Sequence, residues 1–132
     1  MNRRIALSTL VVRDYDAAIE FFVEKLGFFL VEDTHIESEG KRWVIVAPAG
    51  SKESGLLLAK ASDNVQDSAI GNQTGGRVAF ILYTDDFWRD FEVYERKGVK
   101  FVRKPLKQSY GTVAVFEDIS GNLWDLLEPQ TN

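Results

Sequence analysis

Cysteine is absent from this 132-residue chain, and histidine occurs once. Without cysteine there is no disulfide, no thiolate nucleophile and no thiolate metal ligand, a composition suited to a reducing cytoplasm. Long apolar runs are also missing. The stretch after Met1-Asn2-Arg3-Arg4 reaches only Val12 and is interrupted by Ser8 and Thr9. Nowhere do the roughly eighteen apolar residues of a membrane span follow one another. The basic start therefore reads as the approach to a strand rather than as an export signal, and no membrane partner is expected. Positive charge is in deficit, with 16 Lys and Arg against 20 Asp and Glu and a formal net charge of -4. Such a balance favours solubility and gives no general attraction to a phosphate backbone, so no nucleic-acid partner is expected. The basic residues at 96, 97, 100, 103, 104 and 107 are interleaved with Val99, Phe101, Val102 and Pro105 and read as a solvated strand face.

What is present is an ordinary globular balance, 45% apolar and 27% charged. At this length one core suffices, and residues 1–132 are expected to form a single domain. Residues 4–12 are short, β-branched and apolar, as in a buried strand. Asp14 is placed to cap a helix in which Ile19, Phe22, Val23 and Leu26 recur at helical spacing, and Gly27 is placed to stop it. Strands are predicted over 28–36, 42–47 and 54–59, making the first half β-α-β-β-β. Residues 61–76 have no comparable period and read as a linker. The pattern then restarts. A strand over 77–84 precedes Asp85-Asp86, a helix carrying Phe87, Phe91 and Tyr94 runs up to Gly98, and strands follow over 99–103, 111–117 and 122–127.

An offset of 71 places Gly27 on Gly98, whereas an offset of 72 places Asp14 on Asp86. The two halves therefore match with a one-residue slip inside the helix. Module one is 1–60, the linker 61–76 and module two 77–132. The expected fold class is α+β: two βαβββ modules whose curved mixed sheets form a ligand cup. A ferredoxin-like arrangement needs fewer strands than the eight counted.

Three stretches carry a family resemblance. Val11-Val12-Arg13-Asp14, the helix with Phe21-Phe22, and Leu26-Gly27-Phe28 resemble the opening module of the vicinal oxygen chelate superfamily of glyoxalases, bleomycin resistance proteins and extradiol dioxygenases. Thr84-Asp85-Asp86 through Gly98-Val99 resembles its second helix region. Val115 to Pro129, with Asp118-Ile119-Ser120-Gly121-Asn122, resembles its closing hairpin. The resemblance implies paired modules, frequent homodimers and, in the enzymes, a divalent metal. The implied metal positions fall on Leu7, on Leu56, Leu57 or Leu58, on Ala79 or Arg77, and on Asp125. Only Asp125 supplies a suitable donor atom, so no metal and no cofactor are expected.

His35 lies outside those positions. No nucleophile-base pair or paired-carboxylate arrangement can be assembled from the sequence, and no catalytic residue is assigned. Asp14, Asp85 and Asp86 suit helix starts, while Asp118 and Asn122 suit a turn. Alternation groups Arg77, Ala79, Ile81 and Tyr83 on one face, and Leu123, Asp125 and Leu127 on another. The candidate ligand-binding residues are Arg77 for an anionic or carbonyl group, Tyr83 for stacking, Asp125 for a cationic or hydroxyl group, Trp43 beside Arg42 as a flat wall, and Tyr110 at a strand entrance. Trp88 suits core or dimer packing. These features give three readings: metal-independent binding or sequestration of a small organic molecule, a divergent glyoxalase-like lyase or isomerase, and a regulatory or structural partner.

Overall fold

Strand, helix and three further strands follow one another twice in the computed structural model, which describes residues 2–51 and 54–131. In the first unit, Met1–Ile70, β1 (Leu7–Val12) leads into α1 (Tyr15–Glu20). Then come β2 (Phe29–Ile36), β3 (Lys41–Ala47), β4 (Gly55–Lys60) and a short α2 (Asn64–Ala69). The second unit, Gly71–Asn132, contains β5 (Val78–Tyr83), α3 (Phe87–Arg96), β6 (Phe101–Gln108), β7 (Gly111–Glu117) and β8 (Leu123–Pro129).

Cap chemistry sets both long helices. The Asp14 carboxylate accepts from the Ala17 amide at 2.8 Å, and the Asp86 carboxylate accepts from the Arg89 amide at 3.2 Å. Gly27 at φ 75° lets the Phe28 amide return to the Phe22 carbonyl at 2.9 Å, which closes the first helix. Beyond α1 the helix continues as a π-helical turn over Phe21–Lys25. One more residue separates Asp14 from Gly27 than separates Asp86 from Gly98, and the wider turn takes up that residue. The slip between the two halves thus has a structural cause.

Each sheet is mixed, in the orders β1-β4-β3-β2 and β5-β8-β7-β6. The pairings β1 with β4 and β5 with β8 are parallel, and the remaining pairings are antiparallel. In the first unit Leu10, Val12, Val44, Val46, Leu56 and Leu58 are buried on the face where α1 packs. In the second unit the helix-covered face is aromatic: Phe91 meets Phe101 at 4.6 Å between ring centroids, Tyr94 meets Phe116 at 5.8 Å, and Phe80 meets Trp124 at 4.6 Å. Edge-to-face and tilted pairs of this kind add to the stabilisation from burial.

The expectation that curved sheets form a ligand cup is overturned. Both sheets are open, bounded by β1 and β2 in one and by β5 and β6 in the other, and neither curls or closes into a cup. Closure requires edge strands to tilt and pair, and the outer strands resist pairing. β6 carries Arg103, Lys104, Pro105 and Lys107 with two register irregularities, and β2 carries Glu32 and Asp33 at an irregularity of its own. Other boundaries also move. β1 begins at Leu7, and β6 extends to Gln108, which pairs with Gly111 across a tight turn. The 61–76 segment contains α2, capped by the Asp63 carboxylate on the Gln66 amide at 2.8 Å. Six residues make under two turns, too few for a visible period.

The β7-β8 turn is organised by one carboxylate. Asp118, 4% exposed, accepts through Oδ1 from the amides of Ser120, Gly121 and Asn122 at 2.9, 3.0 and 3.0 Å. Its Oδ2 accepts from Trp124 Nε1 at 3.1 Å and Asn122 Nδ2 at 3.2 Å. Asn122 Oδ1 in turn accepts from the Gln73 amide at 3.2 Å. Gly71 lies so close to this turn that a Cβ on it would sit 2.1 Å from the Ser120 carbonyl oxygen. Replacing Asp118 with Ala strands several buried donors. The variant should lose about 3 kcal/mol of unfolding free energy, read from the urea midpoint; a loss below about 1 kcal/mol would show that the turn holds without its carboxylate.

Candidate functional site

Residues paired across neighbouring strands share a face, so the strand registers define the uncovered side of each sheet. In the second unit Ile81, Asp125, Val115 and Arg103 form one row, and Tyr83, Leu127, Val113 and Leu106 form the next. Ile81, Tyr83 and Leu106 are 60%, 68% and 55% exposed. Asp125 thus lies between the apolar Ile81 and Val115, with Arg103 beyond Val115, opposite the aromatic, helix-covered face. Burial pushes its carboxyl above the ordinary carboxylate value, and the positive charge of Arg103 opposes the shift.

The structure brings Tyr83 and Asp125 onto this one face. Arg77 is exposed and precedes β5, with its amide directed to the Thr74 carbonyl at 3.5 Å. A register irregularity between Val78 and Phe80 interrupts the alternation that groups Arg77 and Ala79 with Ile81. Tyr110 is exposed in the β6-β7 turn, at the end of the sheet where Tyr83 lies, and its carbonyl accepts from the Gln130 amide at 2.8 Å.

Trp43 belongs to the first unit. It lies on the uncovered face of β3, where Ile45 stands opposite Leu57 and Leu57 opposite Thr9. Its neighbour Arg42 points the other way and is committed. The Arg42 guanidinium donates to both Asp33 carboxylate oxygens at 3.1 and 2.6 Å and to Asp16 at 2.9 Å, and lies 5.1 Å from the centre of the Tyr15 ring. Hydrogen bonding and charge raise Arg42 and lower Asp33 relative to their ordinary values. Arg42 is therefore the clamp of β2, β3 and α1, and Trp43 lies on the uncovered side without that cation.

A groove of about 590 Å³ opens at the end of the first sheet, bordered by Tyr15, Trp43, Leu57, Ala59, Lys60 and Gln66. Tyr15, Lys60 and Gln66 border this groove, and sequence reasoning did not single them out. The one signal for Gln66 is its position three residues after the capping Asp63, because the cap reveals α2.

The residues do not fit a metal. Leu7 and Leu57 occupy the uncovered side of β1 and β4, and Asp125 is the lone donor at the positions the resemblance implies. Among the described residues no group of three or more His, Cys, Asp or Glu could hold a metal ion. Among those same residues no helix is long and apolar enough to cross a membrane.

With two βαβββ units and these faces established, comparison with known proteins gives the family. Residues 4–126 match the Glyoxalase/Bleomycin resistance protein/Dioxygenase superfamily, and the chain belongs to it. A protein of Shewanella frigidimarina, of unassigned function, is 57% identical over 128 residues, spanning 97% of this chain and 95% of its own. The crystal structure of UcmS2 superposes with a TM-score of 0.84 at 31% identity, covering 97% of this chain and 99% of that one. TnmS3, an antibiotic binding protein from Streptomyces sp. CB03234, gives a TM-score of 0.77 at 27% identity, covering 98% of both chains.

The raised Asp125 carboxyl yields a stability prediction. The folded chain favours its protonated form, so ionisation costs stability as pH climbs from the ordinary carboxylate value through the folded one. Asp125→Asn removes that cost. By calorimetry the variant should unfold at a higher temperature than the parent at pH 7, and the gap should close below about pH 4. A gap that persists unchanged in acid would show that burial of the charge is not its cause.

Proposed function

We propose that the protein binds a small organic molecule without a metal and holds it unchanged. The carrying observation is the uncovered face of the second sheet, where exposed Ile81, Tyr83 and Leu106 surround the partly buried Asp125. An apolar surface with a few polar groups, here Asp125 and, two strands away in the same row, Arg103, is the usual makeup of a ligand site. Tyr83 supplies a ring for stacking. Asp125 gains most from an incoming ammonium or hydroxyl, because such a partner compensates the desolvation of its carboxylate. The similarity to TnmS3, an antibiotic binding protein, supports the same reading. The suggested ligand class is a planar aromatic molecule bearing an amine.

Equilibrium dialysis of the whole chain against an aminated anthracycline tests this. Binding should persist in EDTA, the compound should be recovered unchanged by mass spectrometry, and Tyr83→Ala should weaken binding about fivefold to tenfold. Loss of binding in EDTA, or no effect of Tyr83→Ala, would sink the proposal. A divergent lyase or isomerase reading rests on the same Asp125 carboxyl acting as an acid or base; chemical conversion of the compound would favour it over sequestration.

Self-association into a homodimer belongs to the proposal as well. It is supported by the half-exposed Trp88 on α3 and by exposed Phe29 and Val31 on β2. Light scattering after size exclusion should give twice the 14.9 kDa chain mass; a mass equal to one chain would rule the dimer out. The absence of cysteine supports a cytoplasmic setting.

A further inference from the structure

The cations of this chain are unevenly committed. Arg13, Lys41, Arg42 and Arg89 are each paired with a carboxylate. Residues 96–116 differ. They hold Arg96, Lys97, Lys100, Arg103, Lys104 and Lys107 and no Asp or Glu, in a chain whose formal net charge is -4. All six side chains are exposed. Lys100 reaches Glu117 at 3.7 Å, whereas Arg96, Arg103, Lys104 and Lys107 have no ion-pair partner among the described residues. The register of β6 separates these cations by face. Arg103 stands opposite Val115 on the uncovered side. Lys107 stands opposite Thr112, and Thr112 opposite Glu128, whose carboxylate accepts from the first amide of α3 at 2.8 Å, so this row is helix-covered. Lys104 lies within the second register irregularity.

Cations on opposite faces do not converge on a guest lying on either one. What they share is the free edge of β6, the strand that bounds its sheet. Val102, Leu106 and Tyr110, along and beside that edge, are 40%, 55% and 55% exposed. A flat anionic surface met edge-on reaches both sets of cations and these apolar side chains together. An extended acidic peptide would have to pair with a strand broken by two irregularities and by Pro105, which has no N-H. Single-stranded nucleic acid calls for exposed rings along the strand. The one ring on β6, Phe101, packs against Phe91 and Phe116, and its exposed apolar side chains are the aliphatic Val102 and Leu106. We infer that the β6 edge docks the protein reversibly on an anionic lipid surface, with the cations at the headgroup phosphates and Leu106 and Tyr110 at the acyl boundary. Net charge describes the whole molecule and a membrane span describes insertion; peripheral contact depends on local charge. The inference does not rest on the ligand proposed for the Asp125 face.

The test is co-sedimentation of the whole chain with vesicles of phosphatidylcholine and phosphatidylglycerol in equal parts, against vesicles of phosphatidylcholine alone. The chain should pellet with the anionic vesicles and stay in solution with the neutral ones. Raising the salt from about 0.01 M to about 1 M, which shortens the Debye length from about 30 Å to about 3 Å, should release it. Lys104→Gln with Lys107→Gln should weaken binding about twenty-fivefold, at about fivefold for each basic residue. Leu106→Ser should weaken it about fivefold through lost apolar burial. Removing the same charge from the first unit, by Lys41→Gln with Lys60→Gln, should leave binding within about twofold. All these positions are exposed, and an unaltered thermal midpoint checks that each variant folds. Equal binding to neutral vesicles, no release by salt, no effect of Leu106→Ser, or an equal loss from the two double variants would each overturn the inference. So would binding to labelled oligothymidylate by a chain that leaves the anionic vesicles alone.

Discussion

Parallel pairing between the first and last strands of each unit dictates most of the architecture. With β1 beside β4 and β5 beside β8, and the intervening strands antiparallel, the chain must leave the first strand and return at the far edge of the sheet. That return requires a crossover, and the crossover is a helix lying on one face. One helix covers one face, and the core forms there: Val44, Val46 and Leu58 in the first unit, and Phe116, Trp124 and Leu126 in the second. The opposite face is left to whatever the sequence places on it. The function proposed for this protein is a consequence of that asymmetry.

The two uncovered faces have been furnished differently. The second sheet sets a carboxyl among apolar side chains, where desolvation favours the protonated form. The first offers Trp43, Leu57 and Ala59, with Lys60 at the groove's border. Among the described residues neither offers a group of three or more metal ligands, and Leu7 and Leu57 stand where the resemblance implies donors. One architecture can carry different chemistries, which is why family membership alone leaves the activity open.

The order of elements was legible because it is written in local physics. Asp14 and Asp86 cap helices, Gly27 and Gly98 follow them, and the apolar period changes where strand gives way to helix. The uncovered faces were half legible: alternation placed Tyr83 with Ile81 and Asp125 with Leu127, and the registers join those pairs. Alternation also grouped Arg77 with Ile81 and Tyr83, but a register irregularity between Val78 and Phe80 interrupts that alternation, and such irregularities are settled by tertiary packing. Trp43 was read together with Arg42, yet neighbours in a strand point to opposite faces, and two aspartates from distant positions claim the arginine. The groove was invisible for a similar reason. Tyr15, Lys60 and Gln66 are separated by 45 and 6 positions in the chain and meet only after β4 has paired with β1. Openness of the sheets was misjudged because curvature belongs to whole sheets, whereas the edge charges and Pro105 that resist closure look like ordinary surface residues in sequence.

The π-helical turn over Phe21–Lys25 bears on ancestry. An added residue in a regular α-helix would rotate everything after it by about 100° and turn a buried stripe toward solvent. The wider turn absorbs the insertion where it occurs, so Leu26 and Phe28 remain buried as Val99 does in the second unit. If the two units descend from one duplicated segment, this is the scar of a length change after the copies parted, confined to a single turn. An alignment of the halves that opens its gap anywhere else would pair core positions with surface ones and make the copies look less related than they are.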